Sequence, residues 1–335
     1  MEISNMALYS FINKNMGIKD LNTFLKKQAS KGIQLRSFEL LRNKPVAVDI
    51  SIYMYRYSTN NLLIENIYLM LLMFRKYEVK PIFIFDGKPP AEKKDLIIQR
   101  RINRIEAKEE YDKLLTEVVI NKHYLQDLKR KTLKIKPEEF SIVKRLIYSF
   151  GFPYYDAPNE ADEVCAMLCK TNKVWGCISE DTDMFVYGCT NVIKYMSLLN
   201  RTCVHYHLPT ILSSLHLTLN EFQKICILSG TDYNINNNFT SDDIYTIHDK
   251  YHKEENKEID LYVNQFLQTE ESKLQFKRIL DMMTLTDNIL VSVFDNIIMQ
   301  NKRISDNELK ENADILDILS KNRFIFPIKK SPITA

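Results

Sequence analysis

Seven carboxylates, Asp49, Asp86, Glu160, Asp162, Asp181, Asp183 and Asp232, stand at the ends of apolar segments in this 335-residue chain. Val46-Ala47-Val48 and Pro81-Ile82-Phe83-Ile84-Phe85 read as short buried strands, and each runs directly into an acid. In open α/β sheets ligands bind beyond the carboxyl ends of the strands, so an acid at that end faces a site. Two like charges about 5 Å apart repel by roughly 3 kcal/mol at an effective dielectric near 20, so seven converging carboxylates demand counter-charge. Divalent cations supply it. Magnesium prefers oxygen donors and keeps several waters, which suits Asp and Glu without His or Cys, and manganese should substitute for it. Two such ions, about 3.5 to 4 Å apart, would activate a water on one side of a phosphorus and stabilise the leaving 3′ oxygen on the other.

The elements that must position these acids are partly legible. Glu160 and Asp162 read as opening a helix with Pro158 in its first turn, where residues two apart share no face, so both serve only at a frayed start or through water. Asp181 and Asp183 read as an extended pair pointing the same way, with Glu180 between them the bystander. Net charge is only +3, but residues 88–136 hold fourteen Lys or Arg against eight Asp or Glu, so the segment is +6 and the remainder −3. Pairs such as Glu109 and Lys113, or Arg104 and Lys108, at i,i+4 spacing fit a solvated helical pair; the position directly after Asp86 also fits a nucleic-acid surface.

Composition, 45% hydrophobic and 27% charged, provides for a large core. No run of eighteen apolar residues indicates a membrane span, and Met1 to Asn15 lack the pattern of a signal peptide. The six cysteines contain no Cys-x-x-Cys pair and read as reduced interior thiols of an intracellular protein. His205-x-His207 and His248-x-x-x-His252 have metal-ligand spacing but no cysteine partners nearby.

The wording around the acids resembles the XPG/flap endonuclease family of structure-specific 5′ nucleases. The resemblance is carried by Met16-Gly17-Ile18, Ala47-Val48-Asp49, Phe85-Asp86-Gly87-Lys88-Pro89-Pro90, Asp156-Ala157-Pro158-Asn159-Glu160-Ala161-Asp162, Ser179-Glu180-Asp181-Thr182-Asp183 and Gly230-Thr231-Asp232-Tyr233, in the family's order. It implies an α/β fold, a central mostly parallel sheet flanked by helices (PIN-like/5′ nuclease fold), with a helical arch insertion and a helical C-terminal region. The implied division is an extension (1–15), an N-terminal nuclease region (16–87), a basic gateway and arch (88–136), an internal nuclease region (137–235) and a helical remainder (236–335). The resemblance implies that Asp49, Asp86, Glu160 and Asp162 gather one magnesium ion and Asp181, Asp183 and Asp232 a second, partly through water. It aims Lys93 and Arg100 at the scissile phosphate, lays Gly17 against DNA and stacks a base on Tyr55. Lys88, Arg101, Arg104, Lys129, Arg130 and Lys131 are then further DNA contacts.

Several features depart from the family. Fifteen residues precede Met16, so either synthesis starts at Met16 or the extension folds away from the site. Position 162 is Asp where the family uses Glu, a shorter arm that favours binding through water. After Asp232 the chain reads Asn234-Ile235-Asn236-Asn237-Asn238-Phe239, and no glycine follows Gly230, so a glycine-rich helix-hairpin-helix turn is degenerate here. A basic tail follows Arg323-Phe324-Ile325-Phe326-Pro327, and no sliding-clamp-binding string is present. The implied function is magnesium-dependent cleavage of DNA at single-strand/duplex junctions in replication, repair or recombination, inside the cell, in the nucleus or wherever DNA is replicated. The Lys-, Asn- and Ile-rich wording is similar to nucleases of large DNA viruses. A processive 5′–3′ exonuclease, a PIN-like ribonuclease and a non-catalytic nucleic-acid scaffold remain alternatives.

Overall fold

Short runs of Val, Ile and Phe build the centre of the molecule. The computed structural model describes residues 17–59, 61–90, 93–116, 121–233, 239–256, 258–285, 297, 304–322 and 324. The extension at 1–15, Met16 and the asparagine-rich 234–238 lie outside the described residues. Strands β1 (Ile33–Ser37), β2 (Pro45–Asp49), β3 (Lys80–Phe85), β4 (Tyr154–Asp156), β5 (Gly176–Ile178), β6 (Asn191–Ser197) and β7 (Thr202–His207) form one seven-stranded sheet of order β1-β7-β6-β5-β2-β3-β4. The β4-β3-β2-β5-β6 portion is parallel, and β7 and β1 add antiparallel to its edge.

Strand alternation divides the core in two. Ala47, Ile82, Ile84, Cys177 and Val192 face one buried layer, while Val46, Val48, Phe83, Phe85, Ile178 and Ile193 face the other. With both faces covered, the parallel strands read as unbroken apolar runs rather than alternating ones. Helices α1 (Leu21–Gln28), α2 (Ile50–Ser58), α3 (Leu63–Lys76), α4 (Lys94–Leu114), α5 (Lys122–Lys131), α6 (Pro137–Ser149) and α7 (Ala161–Lys170) precede β5. The one-turn α8 (Asp183–Val186), then α9 (Leu208–Leu215), α10 (Leu219–Ser229), α11 (Ile244–Lys253), α12 (Ile259–Asn264) and α13 (Glu270–Thr284) follow, with α14 (Asp306–Glu311) and α15 (Ala313–Lys321) last. Helices α2, α3, α6 and α15 cover the second layer, and α1 with α7 to α13 covers the first.

Helices α4 and α5 belong to neither layer. They pack on each other, Ala107 is the only fully buried residue of the 21-residue α4, and Leu128 fills the same role on α5. No described helix is long and apolar enough to cross a membrane.

Candidate active site

Four consecutive parallel strands deliver their acids to one edge. Asp49 closes β2, opposite Ile84 on β3, and Asp86 follows β3 immediately. Glu160 and Asp162 follow β4, and Asp181 and Asp183 follow β5. Asp232 arrives from the first layer, at the end of α10, whose start is fixed by the Thr218–Glu221 capping box and whose end turns at Gly230 with φ +109°.

Two of the sequence strings prove to be the two sides of one contact. The Gly87 N–H donates to Asn159 O at 2.6 Å and the Lys88 N–H to Pro158 O at 3.2 Å. A Cβ on residue 87 would collide with Ala157 O, so only glycine lets these backbones approach. Asp86 then reaches across, its Oδ1 accepting from the Ala161 N–H at 2.9 Å, which caps α7 from another strand. The helix consequently starts at Ala161, and Pro158 lies before it rather than in its first turn. Glu160 is the extended N-cap (φ −90°, ψ 146°) and Asp162 stands inside the helix. The two are therefore not bound by the facing rule that applies within a helix.

The pair at Asp181 and Asp183 also differs from the expected extended geometry. Thr182 is helical (φ −84°, ψ −15°), Asp183 opens α8, and the Asp183 N–H donates to Asp181 Oδ1 at 2.9 Å. This tight turn brings carboxylate oxygens of Asp162, Asp181 and Asp183 within 4.8 Å of one another, all three side chains buried. Ser179 ties the turn to β2: its hydroxyl donates to Asp49 Oδ2 and accepts from the Asp181 N–H, both at 3.1 Å. Ser51 accepts the Asp86 N–H at 3.2 Å.

Burial, and then the neighbouring Asp86, holds the Asp49 carboxyl well above its usual range. Burial does the same to Asp162 and, with Asp181, to Asp183, and pushes Asp232 up to about 6. Asp49 Oδ1 and both carboxylate oxygens of Asp183 are buried with no hydrogen-bond donor among the described residues. Buried, orphaned, all-oxygen donors with disfavoured charge fit a hard divalent cation.

Two basic side chains already touch the cluster. Lys93, at the start of α4, is only 6% exposed; its Nζ lies 2.7 Å from Glu160 Oε2 and 4.6 Å from the centre of the Tyr233 ring. Burial alone would lower its pKa, but Asp162, Tyr233, Asp183 and Glu160 together raise it, so the ammonium stays charged. Arg100 Nη2 lies 3.0 Å from Asp232 Oδ2, at a more open position.

Gly17 faces the cluster with φ +72°, and a Cβ there would collide with Asp181 Oδ1, Thr182 Oγ1 and Asp183 Oδ1. Ile18 locks the approach by donating its N–H to Thr182 Oγ1 at 3.0 Å. Tyr55 is 44% exposed on α2. Lys88 and Arg101 are exposed and Arg104 is half-buried, as are, farther along, Lys129, Lys131 and Arg130 respectively, Arg130 paired with Asp127 at 3.0 Å. Within α4, Lys108 pairs with Asp112 at 2.7 Å, an i,i+4 contact other than those the spacing suggested.

Sequence reasoning missed the groups that hold the acids in place. Tyr233 donates to Glu160 Oε2 at 3.2 Å and lies 3.1 Å from the buried Tyr187 hydroxyl, under the Lys93 ammonium. Ser179 and Thr182 carried a signal, hydroxyls interleaved with acids at turn spacing; Tyr187 carried none. Glu180 is buried and faces a separate network, accepting from the Tyr195 N–H at 2.9 Å, with Tyr53 and Arg56 each at 3.4 Å. The fully buried Lys194 donates to the Glu180 carbonyl at 2.7 Å, and burial lowers its pKa to about 8. The histidine pairs are spent on hydrogen bonds within the fold, His205 to Asn191, His207 to Thr210 and His252 to Leu215 O and His248.

The raised carboxylates set a pH dependence for the metal-free protein. Asp232 titrates near 3.8 when unfolded and about 6 when folded, so its stabilising contribution is complete below the unfolded value and is lost as pH rises through about 6. Asp49, Asp162 and Asp183 act in the same direction. The melting temperature in EDTA is expected to fall by several degrees between pH 5 and 8, and magnesium to remove most of that fall. A flat profile in EDTA, by thermal melting, would show that the acids are not under charge strain.

Comparison with known proteins adds independent information. Residues 16–107 match the XPG N-terminal domain and residues 151–232 the XPG I-region. Flap endonuclease 1 of Glycine max is 30% identical over 237 residues, covering 65% of this chain and 62% of its own length. Flap endonuclease 1 of Cryptosporidium muris is 30% identical over 251 residues, covering 65% of this chain and 52% of its own. The chain thus spans between half and two thirds of these relatives. Among solved structures, the catalytic core of Rad2 in complex with DNA substrate aligns with TM-score 0.56 and 21% identity over 89% of this chain and 93% of that one. Flap endonuclease-1 from Methanococcus jannaschii aligns with TM-score 0.56 and 20% identity over 86% and 96%. These structural likenesses establish a shared 5′ nuclease fold.

Proposed function

Because this chain belongs to the XPG family, with both its N-terminal domain and its I-region, we propose that it is a magnesium-dependent, structure-specific 5′ nuclease acting on DNA at single-strand/duplex junctions. The observation that carries the reading is the buried triad Asp162, Asp181 and Asp183, with orphaned oxygens on Asp183 and, nearby, on Asp49. Such a site is unstable as free anions and suited to divalent charge.

In this reading Asp49, Asp86, Glu160 and Asp162 hold one ion and Asp181, Asp183 and Asp232 a second. When bound, the pair lowers the pKa of a water and neutralises charge on the phosphoryl oxygens. The remaining work belongs to the chain. Lys93 and Arg100 leave Glu160 and Asp232 and pair with the scissile phosphate, a charge-assisted contact. Gly17 keeps the mouth of the cluster open to the backbone. Tyr55 offers a face on which a base stacks, worth about 1 to 3 kcal/mol and tolerant of sequence. Helices α4 and α5, standing outside both core layers, form the arch over the site. Lys88, Arg101, Arg104, Lys129, Arg130 and Lys131 hold phosphates there. A cation-assisted grip on duplex through the asparagine-rich 234–239 is not part of the reading, while a sliding-clamp contact stays possible without a recognisable clamp-binding string. The nucleus, or the site of DNA replication, is where such an activity belongs.

Labelled 5′-flap, nicked, single-stranded and Holliday-type DNAs, with an RNA control, test the reading in magnesium. Cleavage of flaps at the junction is expected; cleavage of RNA alone, or of single strands without regard to a junction, would replace it with a ribonuclease or an exonuclease. Replacing Lys129, Arg130 and Lys131 together with Ala should chiefly reduce affinity. Each lost phosphate contact should flatten the salt dependence by up to about 0.9 log unit per log unit of salt. A loss of turnover at saturating DNA, with affinity intact, would move these residues from holding to chemistry.

A further inference from the structure

All six cysteines are free and buried, and three of them meet. Cys169 on α7, Cys177 on β5 and Cys189 in the turn after α8 place their Sγ atoms within 4.8 Å of one another. Cys189 also lies 4.0 Å from Met184 Sδ, and Cys165 packs one turn before Cys169 in the same core layer. Three separate elements therefore converge on a pocket of sulfur, with no oxygen or imidazole donor among the three that meet.

We propose that Cys169, Cys177 and Cys189 form a binding site for a soft, low-coordinate monovalent cation of the Cu(I) class. Soft thiolate and thioether donors select Cu(I) over magnesium, so the site discriminates against the ion assigned to the acids. With metal–sulfur bonds of about 2.3 Å, sulfurs around a three-coordinate ion lie about 4 Å apart, inside the observed limit. A tetrahedral zinc ion would need a fourth donor, and Cys165, the other thiol on α7, lies outside the group whose sulfurs are all within 4.8 Å. In the metal-free protein the contacts among the three sulfurs raise and lower each thiol in opposing ways, and burial then holds all three well above the usual thiol range, protonated. Uptake therefore replaces protons: two thiols lose theirs to solvent, the third sulfur binds as a neutral thiol, and the ion keeps its oxidation state. The resulting single negative charge lies near Lys170, which interacts electrostatically with Cys189. Cys169, at the C-terminal turn of α7 and 5% exposed, marks the entry.

The location couples the pocket to the acids. Asp162, Cys165 and Cys169 fall on one face of α7, and Cys177 stands two residues before Ser179. An ion drawing α7 and β5 together would act on the elements that carry Asp162 and Asp181.

The test is an anaerobic titration of the reduced full chain with Cu(I) against the chelator bathocuproine disulfonate. The wild-type protein is expected to withdraw one ion per chain and release two protons. Cys177→Ala and Cys189→Ala, if folded, should bind at least about a hundred-fold more weakly, because even outer partners of a metal site cost ten- to a hundred-fold. Cys203→Ala, on the opposite face of the sheet, should bind as wild type. X-ray absorption on the loaded wild-type protein needs no variant and should report only sulfur neighbours, at about 2.3 Å. Failure of the wild type to compete, nitrogen or oxygen neighbours, or equal loss in Cys203→Ala would each overturn the proposal.

Discussion

Asp181→Ala is expected to slow single-turnover cleavage of a 5′-flap DNA at least about a thousand-fold in magnesium. A metal acting on a phosphoryl oxygen is worth several kcal/mol, and about 4 kcal/mol is a factor near a thousand. DNA affinity should survive, since basic contacts to phosphate supply most of it. The same carboxylate also accepts the Asp183 N–H at 2.9 Å, so alanine removes a turn contact along with a charge. Asp181→Asn separates the two: the amide oxygen can accept that N–H, but the charge is gone. Both variants should be inactive, measured beside fluorescence anisotropy for binding. Wild-type cleavage by Asp181→Ala would refute the ion assignment; activity restored by asparagine alone would leave Asp181 as a turn-forming residue.

What could be read from the chain alone was the set of strand ends. Val46-Ala47-Val48-Asp49 and Pro81 to Asp86 declare themselves because a fully covered parallel strand is an apolar run, and an acid at its end marks a site rather than more apolar packing. The local geometry between acids was less legible, for a physical reason. The start of α7 is decided by Asp86, on another strand, whose carboxylate caps Ala161; a prediction from Pro158 alone places it too early. Likewise Asp181 and Asp183 converge through a turn tied down by Ser179 to Asp49, a contact 130 residues long. Arg100 and Asp232 meet across 132 residues, and the three thiols across three elements, and neither meeting leaves a periodic trace. Glu180 was legible as a bystander to the acids, but not its role as the buried partner of Tyr53, Arg56 and the Tyr195 N–H.

Lys93→Ala with Arg100→Ala should slow single-turnover cleavage by about a thousand-fold or more, since one donor aimed at developing charge is worth about 10² to 10³. DNA affinity should change far less, because two phosphate contacts among many are lost. The two residues should part company in metal binding. Lys93 is buried and already neutralises the cluster, its Nζ 2.7 Å from Glu160, so it occupies electrostatically the place of a divalent ion. A unit charge about 5 Å away is worth roughly 3 kcal/mol at an effective dielectric near 20, so Lys93→Ala should bind manganese at least several-fold more tightly while cutting far more slowly. Arg100 is 48% exposed in its pair with Asp232, and exposed pairs contribute about 0 to 1 kcal/mol, so Arg100→Ala should barely change manganese affinity. Manganese titration by electron paramagnetic resonance, run beside single-turnover rates, reads both quantities on the same variants. A residue serving only to hold the fold would lose metal affinity and rate together. Tighter metal with slower cleavage is the result that identifies Lys93 as a counter-ion that must swing to the phosphate, and weaker metal binding by Lys93→Ala would reject that role.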